Sequence, residues 1–105
     1  MIPSRKALHW TSHSKNKMRH YGLSEGRVKR VLHSPKRVEE GVAPGTAAYM
    51  QSVGSAKNPR ELWVMVADTP KLRKIISAWR YPGITKPRSD MTRQIMKREL
   101  EEFGV

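Results

Sequence analysis

The chain has 105 residues, 37% of them hydrophobic, which fits one domain around one modest core. Twenty-one Lys/Arg against nine Asp/Glu give a net charge of +12, and with a pI near 10.6 this predicts an anionic partner, nucleic acid above all. With no cysteine, disulfides, thiolate nucleophiles and cysteine-ligated metal sites are excluded, and no apolar run reaches the roughly 20 residues of a membrane span.

The charge is in blocks: residues 1–37 hold ten Lys/Arg against one Glu, residues 71–98 nine against one Asp, and residues 99–105 three Glu. The first residues lack the apolar core of a signal peptide, so the expected location is cytoplasmic, with residues 1–8 flexible. Trp10 points to a short strand. Thr11 or Ser12 then caps a helix over residues 12–21, which Gly22 stops. Ser24 caps a second helix, with Leu23 and Val28 spaced as a hydrophobic staple. Val28, Val31 and Leu32 share its apolar face, Arg27, Lys29 and Arg30 form a basic back, and Ser34-Pro35 ends it.

Beyond Pro35 the pattern changes to strands over residues 37–42, 46–53, 61–67 and 73–81. Their short loops predict antiparallel pairing. The apolar run Leu62-Trp63-Val64-Met65-Val66-Ala67 marks a central strand. A Pro/Gly linker over 82–90 leads to a helix over 91–105, capped by Asp90, on which Met96, Leu100 and Phe103 follow helical spacing; folding back on the domain, framing the site and self-association all fit that spacing. The expected fold is α+β: two N-terminal helices on a four-stranded antiparallel sheet in a domain over 9–81, plus a C-terminal helix.

Two clusters carry chemistry. His13, Lys17 and His20 lie at i, i+4 and i+7, one helical stripe. RNA is cleaved without metal when a base takes the 2′-hydroxyl proton, an acid protonates the leaving oxygen and cations stabilise the charged phosphorus centre. A solvated basic face, with His13 at the helix start, explains the same residues. In Trp79-Arg80-Tyr81 the alternation of a strand turns Arg80 away from its neighbours. Arg80 is then a phosphate clamp, Tyr81 a stacking surface or proton donor, and Trp79 a core residue. Arg19, Arg27, Lys29, Arg30, Arg73 and Lys74 are the candidate contacts to an RNA backbone. His9 and His13 have i,i+4 spacing but nothing nearby completes a metal shell, so no metal or cofactor is expected. Glu39 and Glu40 read as a solvated strand edge rather than a catalytic pair. No GxSxG, Walker or Rossmann motif is present.

The order His13-Ser14-x-x-Lys17-Met18-x-x-Tyr21-Gly22-Leu23-Ser24, then Val28, Val31-Leu32, Ser34-Pro35 and Val38-Glu39-Glu40, resembles a small bacterial domain with the pattern H-A-x-x-R-M-x-x-R-G-[IL]-S, related to BrnT and RelE type toxins. The resemblance covers residues 9–81. It implies two helices against a four-stranded antiparallel sheet and a metal-independent ribonuclease. His13 and Lys17 fall on motif positions, Lys17 and Tyr21 stand where Arg is usual, and Arg80 matches a basic residue on the active face of the sheet. A toxin needs restraint, so an acidic antitoxin is implied as well. The expected activity is therefore metal-free transesterification of RNA by His13, Lys17, Arg80, Tyr81 and, less centrally, His20. The alternative is a non-catalytic, ribosome-associated RNA-binding module, and a third reading is a structural protein that assembles through its C-terminal helix.

Overall fold

The computed structural model describes residues 6–101. Its elements are β1 (Ala7–Trp10), α1 (Ser12–Tyr21), α2 (Glu25–His33), β2 (Arg37–Glu40), β3 (Thr46–Gly54), β4 (Pro59–Asp68), β5 (Leu72–Tyr81) and α3 (Asp90–Glu101). The class is α+β, but the sheet corrects the expected four-stranded antiparallel layout: it has five strands, ordered β1-β5-β4-β3-β2, and is mixed. β1 joins β5 in parallel, pairing Ala7 with Leu72 and Trp10 with Ile75. Residues 7 and 8 are therefore strand rather than a flexible lead, while residues 1–5 lie outside the described residues.

The local signals work as their chemistry dictates. Thr11 Oγ1 accepts from Ser14 N at 3.1 Å, Gly22 ends α1 at φ 66, and Ser24 Oγ accepts from Arg27 N at 3.1 Å. Leu23 and Val28 close the staple from inside the core. α3 begins at Asp90 itself, because Ser89 is the residue that caps it, its Oγ accepting from Thr92 N at 3.1 Å. Phe103 and residues 102–105 of the expected helix lie outside the described residues.

β4 is the middle strand, and Leu62–Val66 are buried throughout because both of its faces are covered. Leu62, Val64 and Val66 pack with Met18, Leu23, Val28 and Val31 from α1 and α2. Trp63 and Met65 pack on the other face with Trp79, Ile95 and Met96, so α3 forms a third layer. Trp63 and Trp79 stack at 5.9 Å and 4°, which adds roughly 0.5–1.5 kcal/mol to their area burial. Met96 and Leu100 belong to this layer, so of the roles open to the last helix it takes that of folding back on the domain.

A bulge decides which way β5 faces. Met65 pairs with Ser77 but Val66 with Ile75, leaving Ile76 extra. Without it Ile75, Ser77 and Trp79 would share a face; instead Ile75 joins the α1–α2 layer and Ser77 and Trp79 turn to α3. Thr11 fixes α1 to this irregularity, its Oγ1 donating to Ile75 O at 2.8 Å.

The segment between β5 and α3 is pinned rather than loose. Glu61, 1% exposed, accepts from Thr85 N at 3.1 Å, Thr85 Oγ1 at 2.6 Å and Trp63 Nε1 at 2.9 Å. Arg37 donates to Thr85 O at 3.0 Å and pairs with Glu39 at 2.7 Å, while Glu39 also accepts from Arg88 N at 3.2 Å. Glu39 is thus buried, a correction to the solvated edge; Glu40 alone faces outward.

At the far end of β5 the Arg73 guanidinium grips Asp68 with two bonds, of 2.7 and 3.0 Å. Its hydrogen bond to Asp68 holds that carboxyl below the ordinary value of 3.8. A depressed carboxyl contributes stability above the unfolded-state value and loses it as pH falls through the folded one. Asp68→Asn is expected to flatten the unfolding midpoint against pH below about pH 4, by under about 1 kcal/mol because the pair is largely solvated. Thermal unfolding scans from pH 2 to 7 check this.

Candidate functional site

α1 runs beside β5, and one stripe of it, His13, Lys17 and Tyr21 at i, i+4 and i+8, points toward α3. The three side chains converge on Glu99. Lys17 Nζ lies 2.6 Å from Glu99 Oε1, and Tyr21 Oη donates to the same oxygen at 2.8 Å. The Lys17 ammonium also lies over the Tyr21 ring, 5.2 Å from its centroid. Lys17 and Glu99 side chains are 0% and 1% exposed, so the ion pair is sealed from solvent. Arg98 Nε approaches the other carboxylate oxygen at 3.4 Å from outside.

His13 engages the same residue through its backbone. Its Nε2 is 2.8 Å from Glu99 O, and a carbonyl only accepts, so this nitrogen carries the proton. Ser77 Oγ donates to the same carbonyl at 3.0 Å and lies 3.3 Å from His13 Nε2. His13 and Ser77 therefore meet at this one carbonyl in a polar cluster.

Arg80 does not enter this cluster directly. Strand alternation puts it on the sheet face opposite Trp79 and Tyr81, as expected, and its Nε donates to Tyr21 O at 2.8 Å. It is joined to the anion only through Tyr21, whose carbonyl it holds while the Tyr21 hydroxyl holds Glu99. Tyr81 faces a shallow groove with Met91, Gln94, Ile95 and Arg98, away from His13. His20 is exposed, its ring edge-on to Tyr21 at 4.7 Å. The expected stripe of His13, Lys17 and His20 is thus corrected to His13, Lys17 and Tyr21, because α1 is rotated to turn Tyr21 inward. Nor is Lys17 solvated; it is the most buried cation of the described residues.

Of the expected backbone contacts, Arg19, Lys29, Arg30 and Lys74 are exposed and Arg27 is half-buried. Arg19 donates to Asn16 Oδ1. Arg73 is committed to Asp68 and to Tyr49, whose ring centroid is 5.2 Å from its guanidinium. His9 lies on β1 and His13 on α1, so their sequence spacing is not helical, and among the described residues no three His, Cys, Asp or Glu side chains group to hold a metal ion. No helix of the described residues is long and apolar enough to cross a membrane.

Sequence reasoning passed over Ser77 and Glu99. The second left a trace: Thr92, Ile95, Met96 and Glu99 form the buried stripe of α3, and an acid on an inward stripe demands a buried cation. In comparisons with known proteins, no family model, curated protein or solved structure matches the chain.

Proposed function

We propose that this chain acts on RNA as a metal-independent endoribonuclease of the toxin type it resembles. One observation carries the reading: the α1 stripe is an anion site furnished with proton-transfer groups. Lys17 and Tyr21 grip one anionic oxygen, and the His13 imidazole stands on the same anion-bearing residue. A phosphodiester offers similar charged oxygens to such donors. In the reaction the 2′-oxygen attacks phosphorus and gives its proton to a base. The bond from phosphorus to the 5′-oxygen breaks, and that oxygen takes a proton from an acid. A 2′,3′-cyclic phosphate and a 5′-hydroxyl result. His13 serves as the acid or the base, Lys17 and Tyr21 hold the phosphate, and Arg80 positions Tyr21 through its carbonyl. The exposed Arg19, Lys29, Arg30 and Lys74 bind the backbone, so affinity falls steeply with salt.

A second reading is favoured by the burial of Lys17 and Glu99: a non-catalytic RNA-binding module that uses the exposed cations and keeps the buried pair as a tie for α3. Incubation of mixed RNA with excess chelator separates the two. In the first case cyclic-phosphate products form and His13→Ala slows them at least about 100-fold, while the variant keeps the wild-type circular dichroism spectrum. Salt-sensitive binding with intact RNA would leave only the second. An acidic antitoxin would be the natural restraint on the first.

A further inference from the structure

The anion site just described is occupied by the chain itself. We propose that α3 is an intramolecular plug, whose Glu99 carboxylate holds the place that a phosphate of the RNA backbone takes once α3 leaves the sheet. This rests on the anion-site reading of α1 and adds its regulation.

Four features bear on it. Glu99 Oε1 takes both Lys17 Nζ, at 2.6 Å, and Tyr21 Oη, at 2.8 Å, so substrate has no access to those donors while α3 is docked. The main chain of the same residue engages His13 Nε2 at 2.8 Å, so one helical turn occupies the proton carrier and the phosphate grip together. Docking is also imperfect: Trp79 Nε1 is buried in the α3 layer and makes no hydrogen bond among the described residues, an unmet donor that water satisfies when the helix lifts. Finally, the root of α3 stays fixed when the helix moves, because Thr85 and Arg88 are bound by Glu61 and Glu39. Arg88, two residues before α3, has φ 54 and is the one non-glycine residue with positive φ among those described, a strained position at the start of the moving part.

The outer face of α3 supplies the approach. Arg93, Lys97 and Arg98 are exposed on it, so a polyanion gathers against the plug before displacing it. Binding then pays for opening, and apparent affinity is lowered by the fraction of molecules that are open. A variant that raises this fraction from about 1% to about 10% tightens binding about tenfold.

The test uses the full chain, a fully 2′-O-methylated oligoribonucleotide that cannot be cleaved, and unmodified RNA in chelator. Glu99→Gln weakens the plug at the anion site. Ile95→Ala weakens docking without touching the polar groups, and serves alone if Glu99→Gln does not fold. Each is expected to bind the methylated oligonucleotide about tenfold more tightly, and adding Lys17→Met is expected to cancel the gain. In the wild type, the oligonucleotide should speed amide hydrogen exchange in residues 95–101. If folded variants bind no more tightly, or if α3 stays protected in the wild-type complex, the plug is overturned. Tighter binding with RNA intact keeps the plug and removes the ribonuclease. Cleavage by the wild type at the rate of both variants keeps the ribonuclease and removes the plug, and no binding by any of them removes both.

Discussion

Lys17→Ala is expected to lower the unfolding midpoint by about 12–40 °C, whereas the double variant Lys17→Met/Glu99→Leu should recover most of that loss. Removing one member of a buried ion pair costs about 3–5 kcal/mol, because the other charge stays desolvated and uncompensated, and each kcal/mol moves the midpoint of a domain of this size by about 4–8 °C. The Glu99 carboxylate, 1% exposed, would keep the Tyr21 hydroxyl and a distant Arg98 Nε at 3.4 Å. Neither replaces an ammonium at 2.6 Å, though both place the effect toward the lower end of that range. Replacing the whole pair by apolar side chains of similar volume removes two desolvation penalties at once and is often neutral. Thermal scans of the three proteins decide the matter: a double variant as unstable as the single one would mean that packing, not stranded charge, is what Lys17 supplies.

Glu61→Ala should cost a similar amount, about 3–5 kcal/mol, and should release the root of α3 as well. Its carboxylate is the acceptor for three donors, Trp63 Nε1, Thr85 N and Thr85 Oγ1, with the Arg37 guanidinium 3.8 Å away. All lie in the dry layer between the sheet and the linker, where water cannot replace the lost acceptor. Glu61→Gln does not escape the penalty, since an amide NH2 at the Oε2 position would face the Thr85 N–H and Arg37. The released segment carries Arg88, followed by Ser89, so trypsin should cut after Arg88 in the variant well before the wild type is cut. Equal protection of that segment in both proteins would show that α3 is held by its own packing alone.

These two contacts explain how the molecule is organised. Glu61 fastens the linker to one end of the sheet, and Glu99 fastens the helix that follows to α1, so a basic chain spends two of its few acids holding its third layer in place. Most of the other described cations, among them Arg19, Lys29, Arg30, Lys74, Arg93, Lys97 and Arg98, stay on the surface. On the function proposed above, the exposed cations of α3 and the His13–Lys17–Tyr21 stripe that would act on RNA lie on opposite sides of that helix.

The sequence by itself determined whatever depends on a few neighbouring residues. Thr11, Gly22, Ser24 and the Leu23/Val28 staple specify two helices and the turn between them, since caps and staples act within one helical turn. The apolar run at Leu62–Ala67 announced a strand covered on both faces, and alternation across Trp79-Arg80-Tyr81 assigned the ring to the core and the guanidinium to the opposite side. Charge in two blocks was equally plain.

Tertiary structure decided what those signals could not reach. The parallel pairing of β1 with β5 joins segments far apart in the chain, and four residues carry too little pattern to name a partner. The bulge at Ile76 takes Ile75 off the face that Ser77 and Trp79 share and turns it to the α1–α2 layer, for a reason that period-two reading lacks. Above all, Lys17 looked like part of a solvated basic face. Only the docking of α3 brings Glu99 to it and buries both, because a charge leaves water where an opposite charge waits at hydrogen-bonding distance, and that meeting is fixed by the packing of layers rather than by neighbours in sequence.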